Sequence, residues 1–253
     1  MLDLDGTTVP NRLDGMPSPR IIEAITKAQE QIAVCIATGR SLEQATPVLD
    51  ALNITDPVIL LNGALVIDGK SRKPLYERPL VKKDYEKAIQ ILNKRAYATR
   101  ISIDESGKTH DYDQSYTPQN PLTIFVWDLS HEEAEELITA LTKIPTLSAH
   151  KVIGWETGKV GVTINHIYGN KQHGILEAAK ILGIHTRSII GIGDGPNDFP
   201  LLMACGLKVA IGNAIPDLKA IADYVAPTVQ EDGVADVIEK FILNSKSKIT
   251  NHK

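Results

Sequence analysis

Two aspartates near the start of the chain are the first residues that could carry chemistry, in the segment Asp3-Leu4-Asp5-Gly6-Thr7. Residues two apart on an extended strand point to the same side, so both carboxylates could face one substrate. Gly6 allows the chain to turn sharply directly after them. A solvated loop has the same pattern, so these aspartates indicate a site only if other polar segments converge on them.

A second candidate is the segment Thr38-Gly39-Arg40-Ser41, which lies between an apolar run and a helical pattern. A hydroxyl, a flexible glycine and the free N–H groups of a helix start together can cradle a phosphate group. The alternative is an ordinary turn in which Ser41 only caps the helix.

The third candidate is the acidic turn Gly193-Asp194-Gly195-Pro196-Asn197-Asp198, again directly after an apolar run. Two carboxylates and an amide so close together favour a bound cation, and oxygen ligands alone favour a hard one such as Mg²⁺. A fully solvated turn remains open. The glycine spacing does not match a dinucleotide-binding fingerprint.

A lysine at a predicted helix start is the fourth candidate. Lys171 opens the helical pattern Lys171–Leu182. A cation is unfavourable at the positive end of the helix dipole, so a lysine there is better explained if it faces an anion. An exposed surface lysine is the alternative.

The elements around these segments predict an α/β fold built on a doubly wound parallel sheet. Three nearly continuous apolar runs are typical of strands buried on both faces: Ile32–Thr38, Pro57–Leu61 and Ser188–Ile192. Helical patterns begin after Ser18-Pro19 and after Ser41, each with a good N-cap residue. A parallel sheet gathers the ends of its strands at one edge, so the four candidate segments are expected to converge there.

The middle of the chain has a different pattern, in which helices are mixed with alternating strands. The helices are predicted at Lys83–Lys94 and His131–Lys143, and the strands at Thr99–Asp104, Leu122–Trp127 and Lys159–Ile164. We therefore expect a discontinuous core domain of residues 1–81 and 166–253, split by an inserted α+β cap domain of residues 82–165.

Composition excludes several classes of function. The chain has 253 residues and a net charge of −4, so it offers no basic field for nucleic acid. No apolar stretch approaches the roughly 18 residues of a membrane span, and the opening Met1-Leu2-Asp3 does not resemble a secretory leader. Cys35 and Cys205 are expected to be reduced core residues. We expect a cytoplasmic monomer or homodimer.

The order of the motifs resembles that of a known family. DLDGT, a strand ending in ATGRS, a lysine and then GDGPND resemble the four motifs of the haloacid dehalogenase-like phosphohydrolases, over nearly the whole chain. Further segments are similar to the Cof-type sugar-phosphate phosphatases: Asn62-Gly63-Ala64, Gly212-Asn213-Ala214 and Glu231-Asp232-Gly233-Val234-Ala235. That subfamily carries its α/β cap where this chain has its insert.

The resemblance implies a role for each motif residue. Asp3 would be the nucleophile that forms an aspartyl-phosphate, and Asp5 the acid/base. Asp194 would hold Mg²⁺ together with the Asp3 carboxylate and the Asp5 main-chain carbonyl. Asp198 would assist through water or orient the lysine. The phosphoryl oxygens would be bound by Thr38, Gly39, Lys171, Asn197 and the Leu4 amide.

Two departures from the family pattern stand out. Only Met1 and Leu2 precede Asp3, where relatives have a full apolar strand, so we expect a version extended upstream to be more stable. The segment Thr228-Val229-Gln230 replaces a polar Ser-Asn pair, which affects the detail of that loop.

The insert is expected to set specificity, because the core binds only the phosphate. The candidates for substrate contact are His110, Tyr112, Lys151, Trp155 and Glu156, each of which could equally be a surface or packing residue. Tyr112, Tyr116 and Trp127 could form the cap core. His166 and His173 lack a spaced partner ligand, so neither is expected to bind a metal.

The sequence therefore predicts a Mg²⁺-dependent phosphomonoesterase for a small phosphorylated metabolite, most simply a sugar phosphate. A phosphomutase of the same superfamily is the nearest alternative, and it would yield an isomerised sugar phosphate instead of inorganic phosphate. A non-catalytic sugar-phosphate-binding protein is the alternative from another class.

Overall fold

The computed structural model describes residues 1–95, 97, 100–113, 115, 117–153 and 158–244. The helices are α1 Pro19–Gln29, α2 Leu42–Ala51, α3 Lys82–Lys94, α4 His131–Leu141, α5 Lys171–Leu182, α6 Phe199–Ala204, α7 Pro216–Ala220 and α8 Gly233–Ile238. The strands are β1 Ile36–Ala37, β2 Val58–Leu60, β3 Leu65–Ile67, β4 Pro74–Glu77, β5 Ile101–Glu105, β6 Lys108–Asp111, β7 Pro121–Leu129, β8 Leu147–Ile153, β9 Val160–His166, β10 Ile190–Gly193, β11 Leu207–Ala210 and β12 Tyr224–Val225. None of the helices in these ranges combines the length and apolar character that a membrane span requires.

The core sheet runs in the order β4-β3-β2-β1 on one side and β10-β11-β12 on the other. Leu2 joins the two halves, since it pairs in parallel with Ile36 of β1 and with Ile192 of β10. The main chain is hydrogen-bonded on both sides here: Leu2 N–H donates to the Cys35 carbonyl at 2.9 Å, and Asp3 N–H donates to Ile192 at 3.0 Å. Asp3 thus follows the central position of the sheet. The stability of an upstream-extended chain stays a prediction.

The predicted doubly wound α/β core is confirmed, with one difference at an edge. β3 pairs antiparallel with β2 and with β4, whereas β1, β2, β10, β11 and β12 pair in parallel. The reversal follows from the backbone directly after β2, where Leu61, Asn62 and Gly63 have φ values of 52°, 57° and 114°. These left-handed conformations turn the chain back before another crossover can begin.

Helices cover both faces of the core sheet. Residues alternate along each strand, so Ile36 and Val58 pack with α1, α2 and α8, while Ala37 and Ile59 pack on the other face with α5, α6 and α7. The predicted N-caps are confirmed: Ser18 accepts a hydrogen bond from Ile21 N–H, and Ser41 forms a capping box with Gln44. The predicted strand over Ile32–Thr38 is shorter, as only Ile36–Ala37 pairs.

The insert forms a five-stranded antiparallel sheet in the order β6-β5-β7-β9-β8. Helices α3 and α4 cover one face and share a hydrophobic cluster with the strands. Ser130 and Glu133 form the capping box that opens α4. Asn165 of β9 donates to the main-chain carbonyl of Leu61 at 3.2 Å, so the opposite face lies against the core. The boundaries predicted for the two domains stay a prediction.

Several predicted features can be placed and some cannot. Cys35 and Cys205 are buried free thiols, as expected, and burial raises the pKa of each to about 11. Thr99, the first residue of a predicted strand, lies outside the described residues. So do Tyr116, Trp155 and Glu156 of the insert.

Candidate active site

Three neighbouring strand positions end at the same edge of the core sheet. Asp3 follows Leu2, Thr38 follows β1 and Asp194 follows β10, and because these positions are adjacent and parallel their following residues meet. A cavity of about 380 Å³ opens here between the core and the insert. It is lined by these predicted site residues: Asp3, Asp5, Gly39, Lys171, Asp194 and Asn197. The remaining predicted residues, Leu4, Thr38 and Asp198, are fully buried and do not line it.

An acidic cluster lies at the floor of the cavity, where Asp3 and Asp194 line it and Asp198 is buried behind them. One carboxylate oxygen from each of Asp3, Asp194 and Asp198 lies within 4.8 Å of the other two. The close approach depends on Gly6, whose φ is +79°, because a Cβ atom there would lie only 2.9 Å from Cγ of Asp194. The side chains of positions 3 and 194, which are far apart in the sequence, are therefore close enough to share one cation.

Lys171 is buried between two of these carboxylates. Its Nζ donates to Oδ1 of Asp3 at 2.5 Å and to Oδ1 of Asp198 at 2.6 Å, and the residue is 1% exposed. Asn170 caps helix α5 just before it. Gly174, one turn further on, lies against Ile59 of β2, and a side chain there would push α5 away from the sheet. The lysine at the helix start faces anions, as its position predicted.

Asp198 holds the acidic turn and Lys171 in place through hydrogen bonds. Its Oδ2 accepts hydrogen bonds from the main-chain N–H groups of Asp194 and Gly195, both at 2.9 Å, while Oδ1 receives Lys171. Its carboxylate lies directly against Gly193, where a Cβ atom would be 2.6 Å from the Cβ of Asp198. Because its oxygens already accept three hydrogen bonds, Asp198 fixes the acidic turn and the lysine.

The acidic cluster carries more negative than positive charge, and this shows in the pKa values of its members. Burial raises the pKa of Asp3 well above its ordinary value, and the charge of Asp198 adds to this shift, while Lys171 opposes it. Burial raises the pKa of Asp194 to about 6, against the hydrogen bond that it accepts from Thr7. Burial opposes the charged form of Lys171, but Asp198 and Asp3 outweigh burial and raise its pKa.

The donor set fits a hard divalent cation. Three carboxylates face a single ammonium group, and the raised pKa values of Asp3 and Asp194 reflect their burial in this negative environment. Oxygen ligands of this kind suit Mg²⁺, which is held by one or two carboxylates and keeps several waters. A divalent ion between Asp3 and Asp194 would offset the excess negative charge and favour their ionised forms.

Sequence reasoning missed the role of Arg40. Its guanidinium is 4% exposed and forms a two-pronged ion pair with Asp5, from Nη2 to Oδ1 at 2.6 Å and from Nε to Oδ2 at 2.9 Å. Nη1 also donates to the main-chain carbonyl of Gln44, and Nη2 donates to that of Arg12. The position of Arg40 in the sequence could have indicated this role. An arginine between an apolar strand and a helix needs a carboxylate partner if it is buried.

Three polar side chains that had no predicted role also belong to the site. Thr7 donates to Oδ1 of Asp194 at 2.8 Å. Asn62 lines the cavity and accepts from Nδ2 of Asn197 at 3.3 Å. Asn213 donates to the Gly6 carbonyl at 2.8 Å and accepts from the main-chain N–H of Val229 at 2.9 Å. The latter contact uses only the main chain of the unusual segment Thr228-Val229-Gln230, so the family departure there leaves this contact intact.

The insert supplies the wall opposite the acidic cluster. Its lining residues are Phe125, Trp127, His150, Lys151, Val152 and Thr163. Lys151 is the one predicted substrate candidate among them within the described residues, and its ammonium pairs with Glu135 at 2.5 Å. His110 is exposed on β6, and Tyr112 packs against the cap cluster. His166 and His173 lie in no group of potential metal ligands that the described residues contain.

Comparison with known proteins identifies the family. The model for haloacid dehalogenase-like hydrolases matches residues 1–112 and 102–238. The chain belongs to this family. The predicted enzyme class, a phosphatase of the Cof type, is confirmed by the match and by its phosphatase relatives.

The relatives are matched over nearly their full length. A Bacillus subtilis 5-amino-6-(5-phospho-D-ribitylamino)uracil phosphatase is 26% identical and aligns over 96% of this chain and 94% of its own. A phosphoglycolate phosphatase from Methanopyrus kandleri is 28% identical, with 95% of each chain covered. The structure of a haloacid dehalogenase-like hydrolase from B. subtilis is similar, with a TM-score of 0.80, 21% identity and coverage of 95% and 98%.

Proposed function

We propose that this enzyme is a Mg²⁺-dependent phosphomonoesterase that hydrolyses a small phosphorylated metabolite through an aspartyl-phosphate on Asp3. One observation carries the proposal: the Asp3 carboxylate lies at the end of the cavity, 2.5 Å from the buried ammonium of Lys171 and within reach of Asp194. A nucleophilic carboxylate needs nearby positive charge before it can approach a phosphate dianion, and this arrangement provides it.

The two aspartates of the first motif divide the reaction into two steps. In the first, an Asp3 oxygen bonds to phosphorus, the ester P–O bond breaks, and Asp5 gives its proton to the departing alcohol. In the second, Asp5 takes a proton from water, the water oxygen attacks phosphorus, and inorganic phosphate leaves while the Asp3 carboxylate is restored. Asp5 lines the cavity and is 26% exposed through its side chain, so it is accessible to a substrate.

The remaining residues balance charge and hold the phosphoryl group. Lys171, Gly39 and Asn197 line the cavity and would bind the phosphoryl oxygens. The family resemblance assigns the same role to Thr38 and to the Leu4 amide, which are buried directly behind this lining. Mg²⁺ would be held by the Asp3 and Asp194 carboxylates and the Asp5 main-chain carbonyl, where it would neutralise charge on the phosphoryl oxygens. Asp198 orients Lys171 through their 2.6 Å contact.

The names of the relatives support a small phosphate ester as the substrate. One relative is named for a ribitylaminouracil phosphate and another for phosphoglycolate. Both are phosphomonoesters of small metabolites, although their leaving groups differ in size and charge. We therefore extend to this chain the reaction class that they share, a phosphomonoesterase.

The direct test is release of inorganic phosphate from p-nitrophenyl phosphate and from a panel of phosphorylated metabolites. We expect activity with Mg²⁺ that EDTA abolishes and added Mg²⁺ restores. Asp3→Asn should abolish it, whereas Asp14→Asn should not, because Asp14 is an exposed aspartate of the same loop region with a side chain 81% exposed. Activity that survives both EDTA and Asp3→Asn would contradict the proposal. Formation of isomerised sugar phosphate without inorganic phosphate would indicate a phosphomutase.

A further inference from the structure

The face of the cap sheet that looks into the cavity has two rows of side chains. Phe125 pairs with Thr163, and Thr163 pairs with His150, so these three lie side by side across β7, β9 and β8. Gly161 pairs with Val152 in the next row, beside Trp127. All of these except Gly161 line the cavity. The wall opposite the acidic cluster therefore presents the rings of Phe125, Trp127 and His150 next to Val152 and Thr163.

Trp127 is held in a fixed orientation on this wall. Its ring stacks on Phe125, with centroids 5.2 Å apart and planes 11° from parallel. Its Nε1 donates to Oγ of Ser102 at 2.9 Å. Gly161 makes room for it, because a Cβ atom there would lie 3.3 Å from Cε3 of the indole. Phe125 is buried beneath this contact, so the accessible aromatic surface is that of the half-buried Trp127. A ring held rigid in this way costs little conformational entropy when a ligand binds to it.

Thr163 adds an unused polar group to the same wall. The residue is 1% exposed and lines the cavity, and its Oγ1 has no hydrogen-bond partner among the described residues. A buried hydroxyl without a partner is costly, so its presence points to a ligand that completes it. It lies in the row between Phe125 and His150.

The charges around the cavity limit what else can bind there. Every lysine and arginine among its described lining residues already has a carboxylate partner: Arg40 pairs with Asp5, Lys151 with Glu135, and Lys171 with Asp3 and Asp198. Burial lowers the pKa of His150, which favours its neutral form at neutral pH. A second anionic group on the substrate would therefore have to displace Glu135 from Lys151, the cation among the insert's described lining residues.

We infer that the substrate is a phosphate ester whose leaving group is uncharged and carries a planar ring that packs on the wall formed by Phe125 and Trp127, with a polar atom hydrogen-bonded to Thr163. This inference rests on the proposed phosphomonoesterase function and specifies its substrate class. Stacking supplies the binding energy and the Thr163 hydroxyl supplies orientation.

The experiment compares three phosphate esters, of which the first two differ in the planar ring and the third is smaller and also lacks the ribose. Uridine 5′-monophosphate carries an uncharged planar ring, ribose 5-phosphate is the same ester without the ring, and phosphoglycolate carries a carboxylate instead. We expect kcat/KM to be higher for uridine 5′-monophosphate than for ribose 5-phosphate by about tenfold, the size of one stacking contact, and lowest for phosphoglycolate. Equal or reversed preference would overturn the inference. If no ester is hydrolysed, the proposed function itself fails.

Substitutions of Trp127 test whether the preference for uridine 5′-monophosphate over ribose 5-phosphate depends on the aromatic wall. Trp127→Leu should reduce the ratio of kcat/KM between the two ribose esters to near one, and Trp127→Phe should restore most of it. Tyr97→Leu is the matched control, since Tyr97 is buried in the cap cluster and does not line the cavity, and it should leave the ratio unaltered. A ratio that Trp127→Leu does not change would contradict the inference.

A second variant tests the hydroxyl independently of folding. Thr163→Val removes a buried oxygen that has no partner, so it should leave the melting temperature of the free protein unchanged or higher. It should nevertheless raise KM for uridine 5′-monophosphate severalfold. A purely structural role for Thr163 would give the opposite pattern, with lower stability and an unaltered KM.

Discussion

Arg40 holds the Asp5 carboxylate with two prongs of its guanidinium, at 2.6 Å from Nη2 to Oδ1 and 2.9 Å from Nε to Oδ2. The arginine is itself fixed by the carbonyl groups of Gln44 and Arg12, so it has little freedom to move. A two-pronged pair defines the plane of the carboxylate as well as its position. We therefore regard Arg40 as a positioning residue for the proposed acid/base.

Loss of Arg40 should impair the step that needs a proton from Asp5. Arg40→Gln is expected to lower kcat about tenfold or more for alkyl phosphates, because a positioned general acid contributes roughly 10²–10⁴-fold. The effect should be smaller for p-nitrophenyl phosphate, whose leaving group needs little protonation. Steady-state kinetics on both esters gives the comparison.

The control is Arg20→Gln, which removes an exposed arginine that pairs with Glu239 on the core surface. It should affect neither ester. An equal loss on both esters in Arg40→Gln would mean that the arginine supports the fold and has no selective effect on Asp5.

Removal of the buried ammonium should destabilise the protein. Lys171→Met leaves Asp3 and Asp198 buried without their cation, and breaking a buried pair in this way costs about 3–5 kcal/mol in the free energy of unfolding. Urea denaturation at pH 7 without Mg²⁺ measures it. Adding Asp198→Asn to Lys171→Met should recover part of the loss, since one uncompensated charge is removed. Stability equal to the wild type would show that Lys171 is not the counter-ion described.

Stabilisation by Mg²⁺ should depend on pH through Asp194. Its pKa is about 6 in the folded protein against an ordinary 3.8, so the folded state binds an additional proton between these values. The metal-free protein therefore loses stability from this group as the pH rises from 3.8 through about 6. Mg²⁺ requires the ionised carboxylate and must compete with the proton below about pH 6.

We accordingly expect the increase in melting temperature caused by Mg²⁺ to be large at pH 8 and small at pH 5. Asp194→Asn should remove the increase at both values. A thermal-shift series with and without Mg²⁺ checks this, and a shift that is the same at pH 5 and pH 8 would contradict the assignment of Asp194 as a ligand.

Gly6 is expected to tolerate no side chain, for two separable reasons. Its φ of +79° is unfavourable for other residues, and a Cβ atom would press on the Asp194 carboxylate. Gly183 has a similar φ of +67° with nothing within 4 Å, so Gly183→Ala isolates the backbone cost, about 1–2 kcal/mol. Gly6→Ala should lose more stability than Gly183→Ala and also lose Mg²⁺-dependent activity. Equal effects of the two substitutions would contradict the close packing of the acidic cluster.

The sequence was most informative where a polar residue follows a buried strand. Asp3 and Asp194 could be placed at one edge of the sheet because each directly follows a buried strand position, and parallel strands end at the same edge. Helix starts at Ser18, Ser41 and Ser130 were predictable because an N-cap depends on residues within one turn.

Features that depend on distant contacts could not be predicted in the same way. The partner of Arg40 lies 35 residues away, and the pair forms only because Leu2 and β1 are neighbours. The reversal after β2 requires positive φ at Leu61 and Asn62, which no local rule assigns to a leucine. Strand β8 was missed because its residues, Leu147–Ile153, mix polar and apolar types without a clear period.

The most direct test of the account is chemical identification of the phosphorylated residue. The enzyme is quenched in acid during turnover of a good substrate with Mg²⁺, treated with borohydride, and digested for mass spectrometry. Reduction of an acyl phosphate at position 3 would convert that aspartate to homoserine, and we expect this product in the wild type and none in Asp3→Asn. Sustained turnover with an unmodified Asp3, or with phosphate bound at another residue, would contradict the account.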